Sequence, residues 1–432
     1  MKITLIQPRV GHNPSYIHEP LNLGYLAAHL IENGYRDIDI HIAAFEADEE
    51  IVSRASSSEV VAFTATSPML KHAGELARQV KQVNPEAIII FGGAHPTVLP
   101  GNTLKEKSID IVVRGEGEET ILEVVQAVER KGPLGRIKGI SYRNDDEEVI
   151  HNPERGLIPN IDSIPFPARN LMSQEKFLEI GYKRYGDRGA WVFSSRGCPY
   201  RCTYCASWRT WTRRWRARSP HNIIGEIKGL IDSFNVDRIN FADDTFTISR
   251  NRVVEFCRLL EREGLHITWG CNVRVDTVDK ELFEIMKSAG CVDVWIGAES
   301  GSPVILKDIK KGMTLHQIRG AFQWAKEVGL RRRAYLMLGA QRESKDTVLQ
   351  TERLAEEIKP DVLDFSILTP YPGCEDYDRA MEKGYVNDNT DWSKIDLFSD
   401  SAALMDTDYL TRYELASEHR RLSEKFQQYR KI

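Results

Sequence analysis

The stretch CPYRCTYC, residues 198–205, sets three cysteines, Cys198, Cys202 and Cys205, on a loop that opens after Gly197. Its continuation, ASWRTWTRRWRARS (206–219), holds five arginines and three tryptophans but no acid. Thiolates are soft ligands that suit an iron–sulfur cluster or zinc. Three of them rather than four leave one metal position open, which favours chemistry over a purely structural role. A zinc loop completed by a distant Cys or His is the alternative. The choice, and the fold with it, turns on what surrounds the loop.

Around and beyond the loop, short apolar runs alternate with helical patterns. WVFSS (191–195), RINFADDTF (238–246), ITWGCNV (267–273), VDVWIGAES (292–300), RRAYLMLG (332–339) and LDFSILTPYPG (363–373) read as strands. Patterns such as HNIIGEIKGLIDSF (221–234) and NRVVEFCRLLEREG (251–264) read as the helices between them. Six such units fall short of the eight of a complete β/α barrel, so a partial, open barrel is predicted. Polar residues gather just past the strand ends: the cysteines after the first, Asp243 and Asp244 after the second, Asn272 and Arg274 at the third, Glu299 and Ser300 at the fourth, and TPYPGC at the sixth. In parallel barrels that rim is where catalytic groups assemble. Polarity scattered over a surface would not keep register with six strands.

Upstream, KITLIQP (2–8), DIDIHIAAF (37–45), VVAFTATS (60–67), AIIIFGGAHPTVLP (87–100) and IDIVVRGEGEE (109–119) read as five strands. Helical patterns such as NLGYLAAHLIENGY (22–35) and MLKHAGELARQVKQV (69–83) separate them. Continuous apolar strands joined by helices predict an α/β, flavodoxin-like, doubly wound parallel sheet. Its ligands belong beyond the carboxyl ends of the strands, where TATS, GGAHPT and RGEGE fall. Scattered prolines and charges then predict a hairpin and a linker lying on the surface. The expected division is 1–135 for the first domain, 136–188 for hairpin and linker, 189–375 for the barrel and 376–432 for a helical C-terminal region.

A chain of 432 residues suggests two to three domains. A net charge of −5 argues against a general polyanion binder. No apolar run reaches the roughly 18 residues of a membrane span, and MKITLIQPRV has no signal-peptide core. The expected compartment is the cytoplasm. Of seven cysteines, three cluster and four scatter at 257, 271, 291 and 374. That pattern fits a reduced compartment with one thiolate-ligated metal better than a disulfide framework.

The cysteine triplet with Tyr204 directly before its last member resembles the radical S-adenosylmethionine (SAM) superfamily. The first domain together with GGAHPT, RGEGE, SIPFPAR (163–169), RARSP (216–220), FADDTF and YPG, in that order, resembles the branch with a cobalamin-binding domain before a radical SAM barrel. The resemblance covers about residues 1–375. It implies a 4Fe–4S cluster held by Cys198, Cys202 and Cys205, with SAM chelating the fourth iron. Reductive cleavage of SAM would then give methionine and a 5′-deoxyadenosyl radical that abstracts hydrogen from substrate. FADD stands where the family places acceptors for the SAM ammonium, which makes Asp243 and Asp244 candidates, since a carboxylate only accepts and the donor is charged. Tyr204, Asn272, Arg274 and Glu299 are the further SAM candidates. Gly339 in MLGAQRES stands where relatives carry a Gly–Pro–Gly turn.

For the corrin the resemblance implies Thr64, Thr66 and Ser67 below the ring and Gly92, Gly93 and His95 near its tail, with Arg114, Gly115, Glu116 and Gly117 from RGEGE. The Asp-x-His-x-x-Gly motif that supplies a histidine to cobalt is missing from QPRVGHNPSYIHEP (7–20). DIHIAA (39–44) approaches it, yet His41 reads as a strand residue. Cobalamin is therefore expected without a protein histidine on cobalt, and a scaffold that no longer holds it is the alternative.

Cys257, Cys271 and Cys291 read as buried thiols. Cys374, following YPG at the rim, is a candidate hydrogen donor to a substrate radical. No Gly-x-x-x-x-Gly-Lys-Ser/Thr occurs, which disfavours nucleotide hydrolysis. Arg209, Arg213, Arg214, Arg216 and Arg218 have three readings: a solvated or structural face, a dock for a flavodoxin or ferredoxin electron donor, or an anionic-substrate site. Nucleic acid is disfavoured, because transfer-RNA methylthiolases of this kind bring cysteines in an N-terminal domain and none precedes Cys198 here. The leading expectation is a cobalamin-dependent C-methyltransferase acting on a small molecule or peptide. The alternative is a radical SAM enzyme for dehydration, deoxygenation, cyclisation or epimerisation, for instance of a sugar-derived metabolite.

Overall fold

The computed structural model describes residues 1–11 and 17–429; positions 12–16, within the loop searched for the cobalt-ligating motif, lie outside the described residues. The apolar runs of the first 113 residues become parallel strands. They are β1 (Ile3–Gln7), β2 (Ile38–Ile42), β3 (Val60–Thr64), β4 (Ile88–Gly92) and β5 (Ile111–Val113). They pair in the order β2-β1-β3-β4-β5, the flavodoxin-like arrangement. A strand covered on both faces has no polar side to alternate with, and β1, β3 and β5 are buried at every position. The helix Leu70–Val83 turns Ala73, Leu76, Ala77 and Val80 onto the sheet, against Phe63 and Phe91, whose rings lie 5.0 Å apart. Two antiparallel strands, β6 (Ile140–Arg143) and β7 (Val149–His151), form the predicted hairpin and extend the sheet past β5.

The linker departs from expectation. Ile158, Ile161, Ile164 and Met172 are all buried, and Arg169 forms a buried ion pair with Glu19 at 2.7 Å. Gly24 makes this seat possible: a Cβ there would stand 2.2 Å from the Met172 sulfur. The prolines that read as surface irregularity alternate with single 3-10 turns at Ile161–Ser163 and Arg169–Leu171 while the apolar residues pack inward.

The second sheet contains β8 (Gly189–Val192), followed by two two-residue strands, β9 (Ser195–Arg196) and β10 (Arg216–Ala217), that pair only with each other. Then come β11 (Arg238–Phe241), β12 (Thr268–Val273), β13 (Cys291–Glu299), β14 (Arg331–Leu338) and β15 (Val362–Ile367). Six parallel strands run β15-β14-β13-β12-β11-β8, an open sheet with β8 and β15 at its edges. The intervening helices start where the sequence caps them, as Ser219 accepts from the Asn222 amide, Ser249 from Arg252 and Asp279 from Leu282. Phe241, Phe246, Phe256 and Trp269 fill the core beneath β11 and β12 with ring centroids 4.4–5.9 Å apart. The terminal helix Arg412–Lys425 lies along β15, where His419 Nε2 meets the Phe365 carbonyl at 3.1 Å.

The chain forms two compact units that are not contiguous in sequence. The first comprises Met1–Phe177 with two excursions, Ala206–Arg214 and Asn387–Ile395; the second holds the remainder. Within the first unit, Lys105 pairs with Asp388 at 2.7 Å and Lys71 with Asp391 at 3.4 Å, fixing the second excursion.

Past β14, Glu343 is fully buried; its carboxylate accepts from the Gly339 amide at 3.2 Å and from the Thr347 hydroxyl. Burial pushes its carboxyl up to about 7, above the usual carboxylate range. The protonated form is thus the one the fold prefers, so this group weakens the fold as pH rises from about 4.5 through 7 and has no such effect below. Glu343→Gln is expected to raise stability at pH 8 by a margin on the order of 1–3 kcal/mol that vanishes near pH 4.5, read by urea denaturation across pH. A gain of equal size at both pH values would contradict this account.

Candidate active site

The chain leaves β8 through Phe193–Ser195, forms β9, turns at Gly197 (φ +87°) and enters the cysteine loop. The loop is held by its backbone: the Thr203 amide donates to the Ile309 carbonyl at 3.1 Å, and the Thr203 carbonyl accepts from Glu375 at 2.8 Å and Asp376 at 3.3 Å. Cys198, Cys202 and Cys205 are all unbridged and half-buried. Among the described residues, no three His, Cys, Asp or Glu side chains converge closely enough to hold one metal ion. A structural zinc needs four ligands around one point. A cubane takes its thiolates on separate irons, so three cysteines on one fixed loop suit a cluster.

Near that loop the SAM candidates divide. Asp243 is 1% exposed, and its carboxylate accepts from the Ser194 amide at 2.7 Å and from the Ser194 and Ser195 hydroxyls at 2.5 Å each. These three bonds tie the end of β11 to the segment through which the chain leaves β8. Asp244 beside it is exposed. Asn272 donates to the Asp243 carbonyl at 3.1 Å. Arg274 is buried; it pairs with Asp276 at 3.0 Å, donates to the Lys311 carbonyl at 2.9 Å and stacks 3.4 Å from the Tyr200 ring centroid. Glu299, at the end of β13, accepts from the Tyr204 hydroxyl at 3.0 Å and from Lys311 at 2.7 Å. Lys311 was not among the sequence candidates, since nothing in KDIKKGMT (307–314) separates it from its exposed neighbour Lys310.

In the first unit, the ends of β3, β4 and β5 carry the corrin candidates. The Thr64 hydroxyl accepts from Asn22 at 2.6 Å, Thr66 is exposed, and Ser67 meets His95 Nδ1 at 2.9 Å. Gly92 closes β4. Gly93 stands at φ +101° with the Ala65 carbonyl 2.8 Å from where a Cβ would be, so only glycine fits. His95 is 2% exposed; its Nε2 has no partner and burial pushes its pKa down to about 4. A neutral imidazole with one orphaned nitrogen at this strand end suits a bulky polar ligand there. A Cβ on Gly115 would meet open space, whereas one on Gly117 would lie 3.0 Å from Leu26. Arg114 and Glu116 are otherwise engaged. Arg114 donates to the Ile140 and Asn152 carbonyls, and Glu116 accepts from the Ile158 amide at 2.7 Å. These bonds hold the hairpin and linker on β5. His41 lies in β2, bonded to Glu46 at 2.8 Å.

Comparison with known proteins agrees with both halves. Residues 192–355 match the radical SAM superfamily and residues 9–125 the B12 binding domain. An uncharacterized methyltransferase of Pyrococcus horikoshii is 35% identical over 84% of this chain and 78% of its own. The chain belongs to the radical SAM superfamily. It is also 30% identical, over 90% of its length and 71% of the relative's, to an anaerobic magnesium-protoporphyrin IX monomethyl ester cyclase of Rubrivivax gelatinosus. The radical SAM methyltransferase TsrM from Kitasatospora setae, solved with tryptophan substrate and a SAM analogue, has the same fold at a TM-score of 0.74. That match has 17% identity and covers 88% of this chain and 76% of TsrM.

The arginine–tryptophan run of this radical SAM protein is not one surface. Arg209 and Arg213 lie over the Trp208 ring at 4.1 and 4.8 Å, within the first unit, where the helix Ser207–Trp211 packs beside Ala94–Val98. Arg214 is exposed. Arg216 is buried in the β9–β10 ladder opposite Arg196. Arg218 forms a buried ion pair with Glu226 and donates to the Phe193 carbonyl at 2.8 Å. Cys257, Cys271 and Cys291 are buried as expected. Cys374 is 1% exposed at the start of the helix Glu375–Glu382, and burial pushes its thiol up to about 12. The candidate hydrogen donor is thus an enclosed, neutral thiol. No helix among the described residues is long and apolar enough to cross a membrane. Arg218→Met leaves Glu226 charged and uncompensated, and is expected to cost about 3–5 kcal/mol in urea denaturation, with much of it recovered by adding Glu226→Gln. A loss below 1 kcal/mol would return Arg218 to the solvated face.

Proposed function

We propose that this radical SAM protein is a cobalamin-dependent C-methyltransferase acting on an unactivated carbon of a small molecule or peptide. The observation that carries the reading is the pairing, in one chain, of a B12 binding domain with a three-cysteine radical SAM sheet. The methyltransferase relative, matched along most of both chains, supports it. When bound, the cluster and SAM supply a 5′-deoxyadenosyl radical that takes hydrogen from substrate, and the corrin supplies the methyl group.

The chain's own residues divide that work. Cys198, Cys202 and Cys205 hold the cluster. Asp244, exposed beside the anchored Asp243, takes the SAM ammonium, while Asn272, Arg274, Glu299 and Tyr204 orient the rest of the cosubstrate. Thr64, Thr66, Ser67, Gly92, Gly93, His95, Gly115 and Gly117 seat the corrin, with no protein histidine on cobalt. In this division of labour residues 1–135 seat the corrin and 189–375 hold the cluster, with the hairpin and linker that begin at 136 packed into the first compact unit as far as Phe177. A flavodoxin or ferredoxin supplies the electron.

A second reading, radical chemistry without methyl transfer, is favoured by the relationship to an enzyme named as a cyclase. Anaerobically reconstituted protein given dithionite and SAM is expected to release 5′-deoxyadenosine. Given hydroxocobalamin as well, it is expected to keep corrin absorbance through desalting and to form S-adenosylhomocysteine. 5′-Deoxyadenosine without either corrin or S-adenosylhomocysteine selects the second reading. None at all overturns both.

A further inference from the structure

The cysteine loop rests on the start of the helix Glu375–Glu382. Thr203, between Cys202 and Cys205, is buried, and its carbonyl accepts from the Glu375 and Asp376 amides. Those two bonds fix the Asp376 backbone against the middle of the loop. The carboxylate is enclosed with it, since Asp376 is 2% exposed. Oδ1 pairs with Arg379, which also donates to Gln341. The Thr203 hydroxyl draws on the same carboxylate from the loop side, yet Oδ2 is buried and keeps no partner of hydrogen-bonding geometry. A buried carboxylate oxygen left in that state is costly and uncommon, so its place behind a metal loop calls for a reason.

The two ends of the ion pair differ in their surroundings. The Arg379 side chain is 26% exposed and that of Asp376 3%. Water and salt screen the cation far more than the anion, so the pair leaves a net negative field on its inner side. That field reaches the loop: burial first, then charge on Asp376 and at Cys205, pushes the Cys374 thiol up, so both act on one group. A cluster that takes an electron gains negative charge, and net charge and burial around it are levers on its potential. We propose that Asp376 sets the reduction potential of the cluster held by Cys198, Cys202 and Cys205, its buried carboxylate lowering that potential and Arg379 offsetting part of the effect. The proposal rests on the radical SAM reading above and adds to it a control on how strongly reducing the electron donor must be. Asp376 acts through space and through the loop, without touching SAM or substrate.

The test is the midpoint potential of the one-electron step from [4Fe–4S]2+ to [4Fe–4S]+, with dithionite as the electron source. It is read from the electron paramagnetic resonance of the reduced full-length protein at matched iron and sulfide content, at about pH 8, where carboxylates are ionised. Asp376→Asn, which keeps the shape and removes the charge, is expected to favour reduction about tenfold, a rise of about 59 mV for a one-electron couple. Arg379→Gln, which removes the offsetting charge, is expected to disfavour reduction by about threefold or more. A loop merely loosened by substitution would shift both variants in one direction, so opposite signs are the mark of charge. Unchanged potentials, or shifts of the same sign, overturn the proposal. If Asp376→Asn does not take up its full iron, Arg379→Gln decides alone, and a potential unmoved or raised there overturns the proposal. Loss of the cluster in both variants overturns it as well, because the pair would then serve folding of the loop. Cluster uptake and 5′-deoxyadenosine release by the parent protein test the underlying radical SAM reading separately.

Discussion

The geometry of the cysteine loop hangs from one carboxylate. Asp243, just past β11, takes three hydrogen bonds from Ser194 and Ser195, where the chain passes from β8 into β9. Buried charge is tolerated only when its lone pairs are satisfied, and here the satisfaction comes from the two residues that begin the loop. The far end is tied to the same place: the Arg218 amide donates to the Ser194 carbonyl at 2.9 Å, and Arg252 bridges the Ser194 and Arg218 carbonyls at 2.7 and 3.1 Å. The stretch between is therefore a closed loop with a pinned neck. Pinning removes conformational entropy once, at folding, rather than each time a ligand binds.

That neck also explains how charge is distributed along the cysteine-rich stretch and its continuation. The arginines nearest the neck, Arg216 and Arg218, are consumed by it, while Arg209 and Arg213 stack on Trp208 further out. Stacking on an indole satisfies one face of a guanidinium, and Arg218 takes its carboxylate, Glu226, from outside the run.

The strands of both sheets were legible because fully buried parallel strands are continuous apolar runs, and the polar residues at their ends were legible by register. Individual roles were not. Asp243 and Asp244 are adjacent and chemically identical, and only the positions of Ser194 and Ser195, nearly fifty residues earlier, set the buried one apart from the exposed one. Lys310 and Lys311 differ in the same way: one faces Glu375 at the surface and the other Glu299 in the interior. Arg114 and Glu116 sit in a strand-end loop that resembles a ligand site, yet their partners come from a hairpin and linker whose packing has no periodic signature. Ile158, Ile161 and Ile164 recur every third residue, which is not the period of a strand, and Pro159 and Pro165 rule out a continuous α-helix, so no periodic element announces the buried segment. Local pattern identifies elements; long-range pairing assigns side chains.

Two glycines show how the strand ends are specialised in opposite ways. Gly93 lies against the Ala65 backbone, so a side chain there would collide with main chain that has no freedom to move. Its constraint is on the path of the chain, and it lets the β4 turn fold back beside β3 while His95 is carried inward. Gly297 faces the far ends of two side chains, Glu299 and Lys311. Its constraint is on the placement of charge, because an added methyl would leave the backbone possible and displace the ion pair. The first glycine is thus required by the fold of its unit. The second is required by what the fold holds in position, which is why a glutamate at φ +61° and a buried lysine are found beside it.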